Sequence, residues 1–173
     1  MPRLFHVSEE PGIVRFEPRP PPSPDSGVTG DAVWAVDDEH LPNYLLPRDC
    51  PRVTYAVTPK TARDDIARFE AADAKRVIIV EQAWRQRILD TPLYVYEMPA
   101  SGFELIDRSA GYHISRNSVA PLNVRDVRDP AVEITNRDCV LRFVADLWPL
   151  REAILASSLD YSIIRMRNAT RRP

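Results

Sequence analysis

Two side chains near the start of the chain, those of His6 and Ser8, are of types that take part in ligand binding and catalysis. Residues 4–8 are short and apolar and precede turn-forming residues, a pattern that predicts a β-strand ending in a loop. Alternate residues of a strand share a face, so the imidazole and the hydroxyl are expected to project together. A strand end is a common place for a binding site. A histidine packed in the core is the competing interpretation.

Two arginines, Arg48 and Arg52, lie in a segment that Pro47 and Pro51 stiffen. A guanidinium group binds phosphate or carboxylate through paired hydrogen bonds, so this segment predicts contact with an anionic ligand. An ion pair between an arginine and Asp49 that closes the loop explains the same residues equally well.

Three acids, Glu97, Glu104 and Asp107, lie around a strand and turn predicted over residues 94–103. A carboxylate in such a place can stabilise a cationic sugar centre as it develops in a transition state. Charged side chains that face solvent at a strand end are the more common explanation.

Several other classes of site have no support in the sequence. The histidines, His6, His40 and His113, show no spacing typical of metal ligands, and neither a GxGxxG, a P-loop nor a GxSxG motif occurs. Cys50 and Cys139 show no zinc pairing, and we expect them to be buried, inert thiols. The formal net charge of −2 gives no overall attraction for nucleic acid.

The elements that position these residues follow a mixed pattern. Predicted strands cover residues 4–8, 32–36, 52–57, 76–80, 93–97, 112–115, 119–127 and 140–144, and predicted helices cover residues 39–46, 58–71, 81–89 and 148–157. Strands with interspersed short helices predict an α+β fold rather than strict βαβ alternation.

The length of 173 residues predicts a single domain, 1–173. Within it, residues 17–31 are predicted to form a long, polyproline-like surface loop and residues 165–173 a basic, frayed tail. No apolar run approaches the roughly 20 residues of a membrane span, and no secretory signal opens the chain. We therefore expect a cytoplasmic protein.

The order of these segments resembles the small ADP-ribosyltransferase fold. The likeness rests on the strand with His6 and Ser8, the strand with an aromatic residue, and two later stretches, YVYEMPASGFE at 94–104 and GYHISRNSVAPLNV at 111–124. It is most similar to bacterial rifampin ADP-ribosyltransferase. The resemblance implies an ADP-ribosyltransferase-like split β-sheet with short flanking helices. It also implies that NAD is the substrate and that the nicotinamide–ribose bond is cleaved, with transfer of ADP-ribose to an unknown acceptor or to water.

The resemblance also implies roles for individual residues. His6 would hold the NAD ribose with Ser8 nearby, and Trp34 would take the place of a tyrosine that packs on the nicotinamide ring. Glu104, with Asp107 as its substitute, would stabilise the oxocarbenium ion as nicotinamide leaves.

The diphosphate of NAD would then lie near Arg48 or Arg52. In the matching family a glycine usually follows the first histidine, whereas this chain has Val7. That larger residue favours an alternative, a non-catalytic module that binds a nucleotide or a peptide in the same cleft. A third hypothesis is a partner protein that contacts another chain through its proline loop and basic tail.

The whole chain also resembles an uncharacterised bacterial domain family of similar length. The segments that carry this likeness are HVSEE at 6–10, PRDCPR at 47–52 and LWPLREAILASS at 147–158. The likeness implies the extent of the domain and no activity.

Overall fold

A computed structural model describes residues 2–21 and 27–170, and in it the chain clusters into two units. The first unit comprises Met1–Leu41 and Pro92–Val127, and the second comprises Pro42–Thr91 and Arg128–Pro173. Each unit contains its own β-sheet. The strands of the described residues, in chain order, are β1 (Leu4–Ser8), β2 (Val33–Asp37), β3 (Arg52–Ala56), β4 (Arg76–Glu81), β5 (Leu93–Met98), β6 (Glu104–Asp107), β7 (Tyr112–Ser115), β8 (Asn123–Val127), β9 (Cys139–Val144) and β10 (Asp160–Ile164).

The helices of the described residues are short and all lie in the second unit. They are α1 (Arg63–Arg68), α2 (Arg85–Asp90), α3 (Pro130–Thr135) and α4 (Trp148–Leu155). None of them is long and apolar enough to cross a membrane. The predicted α+β class is confirmed.

The sheet of the first unit has the strand order β6-β7-β2-β1-β5-β8, and all its pairs are antiparallel. One face carries a core cluster in which Leu4, Ala35 and Tyr96 pack with Phe16 from the loop after β1. The hydroxyl of Tyr96 donates to the Glu10 carbonyl at 2.7 Å and so fixes that loop over the sheet.

The sheet of the second unit has the order β10-β3-β4-β9, in which only the β4–β9 pair is parallel. Every residue of β3 and β4 is buried, as expected for central strands. One face packs Val53, Tyr55 and Ile79 against residues of α4 and its flanks, including Leu147 and Ile154.

Several predicted helices are shorter than expected. Residues 39–46 contain only a 3-10 helix, Leu41–Tyr44, and the helix predicted from Thr58 begins at Arg63 instead. Thr58 is not its N-cap because its side chain bonds within a preceding turn, where its hydroxyl accepts the backbone N–H of Lys60 at 3.3 Å. The strand β4 continues to Glu81, where a helix was predicted to start.

No element was predicted where β6, α3 and β10 lie, and the strand predicted over 119–127 covers only Asn123–Val127. Its first residue, Val119, instead forms an isolated bridge with Phe16. The proline-rich loop contains no helix or strand in its described part, and its residues 22–26 lie outside the described residues. The tail arginines Arg171 and Arg172 also lie outside them.

Candidate functional site

The sheet of the first unit aligns the predicted aromatic residue with the predicted acids. Trp34 of β2 pairs with Ile114 of β7, which in turn pairs with Glu104 of β6. Directly opposed residues of antiparallel strands share a face, so the indole and the carboxylate project to the same side, with Cα atoms about 10 Å apart. Asp107 pairs with Tyr112 beyond a bulge, so its carboxylate lies on the same side of the sheet as Trp34 and Glu104. We call this surface the Trp34 face.

An aromatic pair forms the centre of the Trp34 face. The rings of Trp34 and Tyr112 meet edge to face, with centroids 5.4 Å apart and planes at 85°. Trp34 is half-buried, and its Nε1 is buried without a hydrogen-bond partner among the described residues. Glu104 is exposed. An indole with a carboxylate in the same cross-strand row suits a flat, positively charged ring, because the π face of an aromatic attracts cations.

His6 lies on the opposite face of the same sheet. Its neighbour in β1 pairs with Val36, which belongs to the Trp34 face, so strand alternation directs the imidazole to the other side. The ring packs against Phe16 with centroids 4.7 Å apart, and Nδ1 lies 2.8 Å from the backbone oxygen of Trp34. The sheet therefore separates the imidazole from Glu104.

Ser8 shares the face of His6, as predicted from the strand period. Its hydroxyl accepts a hydrogen bond from the backbone N–H of Glu10 at 3.1 Å. This contact closes the turn after β1, so the hydroxyl has a structural use.

Arg48 and Arg52 belong to the second unit. The side chain of Arg48 is exposed, whereas that of Arg52 is buried on the β3 sheet face that also carries Thr54. The Arg48 carbonyl accepts from Arg52 Nη2 at 3.5 Å and from Arg165 Nε at 3.4 Å. The backbone of this proline-flanked segment is thus held by side chains from its own unit.

A histidine–aspartate pair in the first unit was not singled out from the sequence. His40 is buried, and its Nδ1 lies 2.7 Å from Oδ1 of Asp37. The same oxygen accepts the backbone N–H of His40 at 2.9 Å. Gly111 packs directly on the ring, since a Cβ at this position would lie 2.4 Å from Nδ1. The spacing of Asp37 and His40, which suits a carboxylate that caps the following turn, is the signal that could have found the pair.

The charge of Asp37 is stabilised by this arrangement. Burial acts to raise the pKa of Asp37, but hydrogen bonds from the ring and backbone of His40 outweigh it, and the pKa lies below its usual value. A carboxylate that orients an imidazole is used in general-base catalysis. Here the ring is enclosed, with 6% of the side chain exposed, so a packing role suits the pair better than a catalytic role.

The two cysteines are free and buried, as predicted. Burial raises the pKa of Cys50 to about 11 and raises that of Cys139 as well, so both thiols are neutral near pH 7. Among the described residues, no three His, Cys, Asp or Glu side chains converge in a way that could hold a metal ion.

An open depression of about 580 Å³ lies on the second unit, lined by residues that include Arg63, Glu70, Asp73 and Arg142. Arg142 donates to the carbonyls of Phe69 at 3.3 Å and Glu70 at 3.0 Å. These carbonyls end helix α1, so the arginine is occupied in capping that helix.

Comparison with known proteins identifies a family and no activity. A family model described as "Family of unknown function (DUF6886)" matches residues 5–169. Neither the curated proteins nor the solved structures contain a significant match.

Proposed function

Since the chain belongs to the DUF6886 family, whose function is unknown, we propose from its geometry that it is a module that binds a nucleotide without turning it over, with NAD as the first candidate. The observation that carries the proposal is the shared face of Trp34 and Glu104 in the first unit. The oxidised nicotinamide ring of NAD is flat and positively charged. It would stack on the indole with the carboxylate beside it.

Binding without turnover is favoured by the position of His6. An ADP-ribosyltransferase needs its ribose-holding group and its acid around one NAD molecule, whereas strand alternation puts His6 and Glu104 on opposite sheet faces. The larger Val7, in place of a glycine, favours the same conclusion.

ADP-ribosyl transfer on an ADP-ribosyltransferase-like sheet is the second candidate, which the exposed carboxylates of Glu104 and Asp107 on the Trp34 face favour. In that reaction the nicotinamide–ribose bond breaks and its electron pair leaves with nicotinamide. The ribose carbon then bonds to an oxygen of water or of an acceptor, which releases its proton. A carboxylate would stabilise the cationic ribose during this step.

Calorimetric titration with NAD, followed by chromatography of released nicotinamide, tests both candidates. We expect saturable binding and no release. Trp34→Leu should weaken binding about tenfold or more, since stacking on an aromatic side chain contributes about 1–3 kcal/mol. Glu104→Gln should weaken it severalfold, whereas Asp31→Asn, which removes an equal charge from an exposed site of the same unit, should not.

Each other result has a definite meaning. If nicotinamide is released and Glu104→Gln abolishes that release, the protein is a transferase or glycohydrolase and the proposal of a binding module is wrong. Absence of NAD binding, or binding that Trp34→Leu leaves unchanged, would refute the proposed site.

A further inference from the structure

The open depression on the second unit has room for a small ligand. Its volume of about 580 Å³ lies within the range of small-molecule sites, about 300–1,000 Å³. Helix α1 lines it with Arg63, Ile66 and Ala67, and Glu70 follows just after the helix. These positions are separated by three or four residues, so they share one face of the helix. All the lining residues belong to the second unit.

Part of the lining of the depression is apolar. Val140 of β9 and Ile66 of α1 are both half-buried and line it from two different elements. Ala74, in the segment between α1 and β4, packs against the core cluster of this unit. An apolar lining of this kind can bury the hydrocarbon part of a ligand.

The charged side chains that line the depression are two arginines and two acids. Arg142 and Glu70 compensate each other, because Nη1 of the arginine lies 3.5 Å from Oε2 of the acid. Arg63 and Asp73 are exposed, and neither side chain forms a hydrogen bond or an ion pair with another described residue. One guanidinium group and one carboxylate are therefore available to a ligand.

These two available charges come from opposite ends of α1. Arg63 is the first residue of the helix, and Asp73 lies in the segment after its closing turn. In that turn the backbone N–H of Ala71 donates to the Ile66 carbonyl at 3.0 Å, as in a Schellman motif. From Arg63 to the closing turn the helix rises about 10 Å, at about 1.5 Å per residue.

We infer that the depression binds a short peptide of two or three residues with free termini and apolar side chains. The charges that line it sum to zero, so a ligand with both charges complements it better than a simple anion or cation. Arg63 would donate paired hydrogen bonds to the ligand carboxylate, and Asp73 would accept from its ammonium group. Two or three extended residues span about 7–10 Å, which matches the length of α1. The inference uses the second unit alone and does not rest on the proposed NAD site.

Titration calorimetry of the full chain with leucyl-leucine tests this inference. We expect saturable binding with a Kd below about 1 mM. N-acetyl-leucyl-leucine lacks the ammonium group and leucyl-leucinamide lacks the carboxylate, so each should bind about fivefold more weakly, as expected for the loss of one exposed ion pair. Leucine carries both charges on one carbon and should also bind more weakly than the dipeptide.

Matched variants assign each ligand charge to its partner. Arg63→Met and Asp73→Asn should each weaken binding of leucyl-leucine about fivefold. Arg63→Met should not change binding of leucyl-leucinamide, and Asp73→Asn should not change binding of the acetylated form, because the matching ligand charge is already absent. The controls are Lys60→Met and Asp64→Asn, which remove exposed charges outside the depression and should change nothing.

The Tm of each variant without ligand separates a binding role from a structural one. All four side chains are exposed, so each Tm should stay within about 2 °C of the wild type. The inference is overturned if leucyl-leucine does not bind saturably up to about 10 mM, or if leucine or a blocked form binds as tightly. It is equally overturned if Arg63→Met and Asp73→Asn both leave binding unchanged. Loss of binding in Lys60→Met or Asp64→Asn would place the ligand elsewhere and would also overturn it.

Discussion

At the scale of single residues, Gly111 has the most demanding position in the first unit. Its φ is +67°, and an added Cβ would lie 2.4 Å from Nδ1 of His40 and 2.8 Å from Oδ1 of Asp37. Gly111→Ala should therefore combine left-handed backbone strain with overpacking and reduce the free energy of unfolding by about 3 kcal/mol. Urea unfolding followed by circular dichroism measures this change.

Gly102→Ala is the matched control for this substitution. Gly102 also has a positive φ, +84°, but nothing lies within 4 Å of a Cβ placed there. Only left-handed backbone strain applies at this position, so Gly102→Ala should reduce the free energy of unfolding by about 1 kcal/mol. Equal losses in the two variants would show that the contact with His40 contributes nothing, and the packing account of the Asp37–His40 pair would then be wrong.

At the scale of elements, the buried carboxylate of Glu81 joins the end of β4 to two distant segments. It accepts the backbone N–H of Leu147 at 3.3 Å, and it accepts both the N–H and the hydroxyl of Thr170 at 2.9 Å. Glu81→Leu leaves these donors without an acceptor and should cost about 3 kcal/mol of unfolding free energy.

The measurement is urea unfolding, with hydrogen exchange at the Leu147 amide as a local probe. Glu81→Gln retains one acceptor oxygen and should lose less than Glu81→Leu. Asp73→Asn, at an exposed acid of the same unit, should stay within about 0.5 kcal/mol of the wild type. A Leu147 amide that exchanges at the same rate in wild type and Glu81→Leu would contradict this role.

The strands were more predictable than the helices, for a physical reason. Residues 4–8 and 112–115 match the observed β1 and β7 because runs of β-branched and aromatic residues bounded by turns are a local signal. β6 has four exposed residues, so no buried pattern marks it. The start of α1 was missed because Ala62 precedes it with no side-chain cap, and Ser158, remote in sequence, accepts its N–H at 2.8 Å.

The candidate site was predictable only in part, because register is not a local property. Strand alternation placed Ser8 with His6 from the sequence alone. The relation of His6 to Glu104 depends on which residues of β1, β2, β7 and β6 stand opposite one another, and a shift of one residue would reverse it.

At the scale of the whole molecule, charge is nearly balanced, with 23 basic and 25 acidic residues. Near neutral pH the self-repulsion of the chain is therefore small. Acid changes this balance, because carboxylates are neutralised while lysine and arginine stay charged. Hydrogen bonds hold the pKa of three acids below their usual values in the folded protein: Asp37 through His40, Asp65 through Ser158, and Glu97 through Arg3. These acids link folding to pH.

The direction of that link gives a prediction for the molecule as a whole. A carboxyl whose pKa is lower in the folded state stabilises the fold at any pH above its pKa in the unfolded chain, which is 3.8 for Asp. This contribution disappears as the pH falls through the pKa of the folded state. We expect Tm to change little between about pH 7 and pH 5 and to fall steeply below about pH 4.

Asp37→Asn should lower Tm near neutral pH, and its difference from wild type should shrink as the pH falls, because protonated Asp37 and asparagine then carry the same charge beside His40 and His113. Asp31→Asn, at an exposed acid of the same unit, is the control and should follow the wild-type curve. A difference between Asp37→Asn and wild type that stays constant down to about pH 2.5 would mean that the ionised carboxylate does not stabilise the fold.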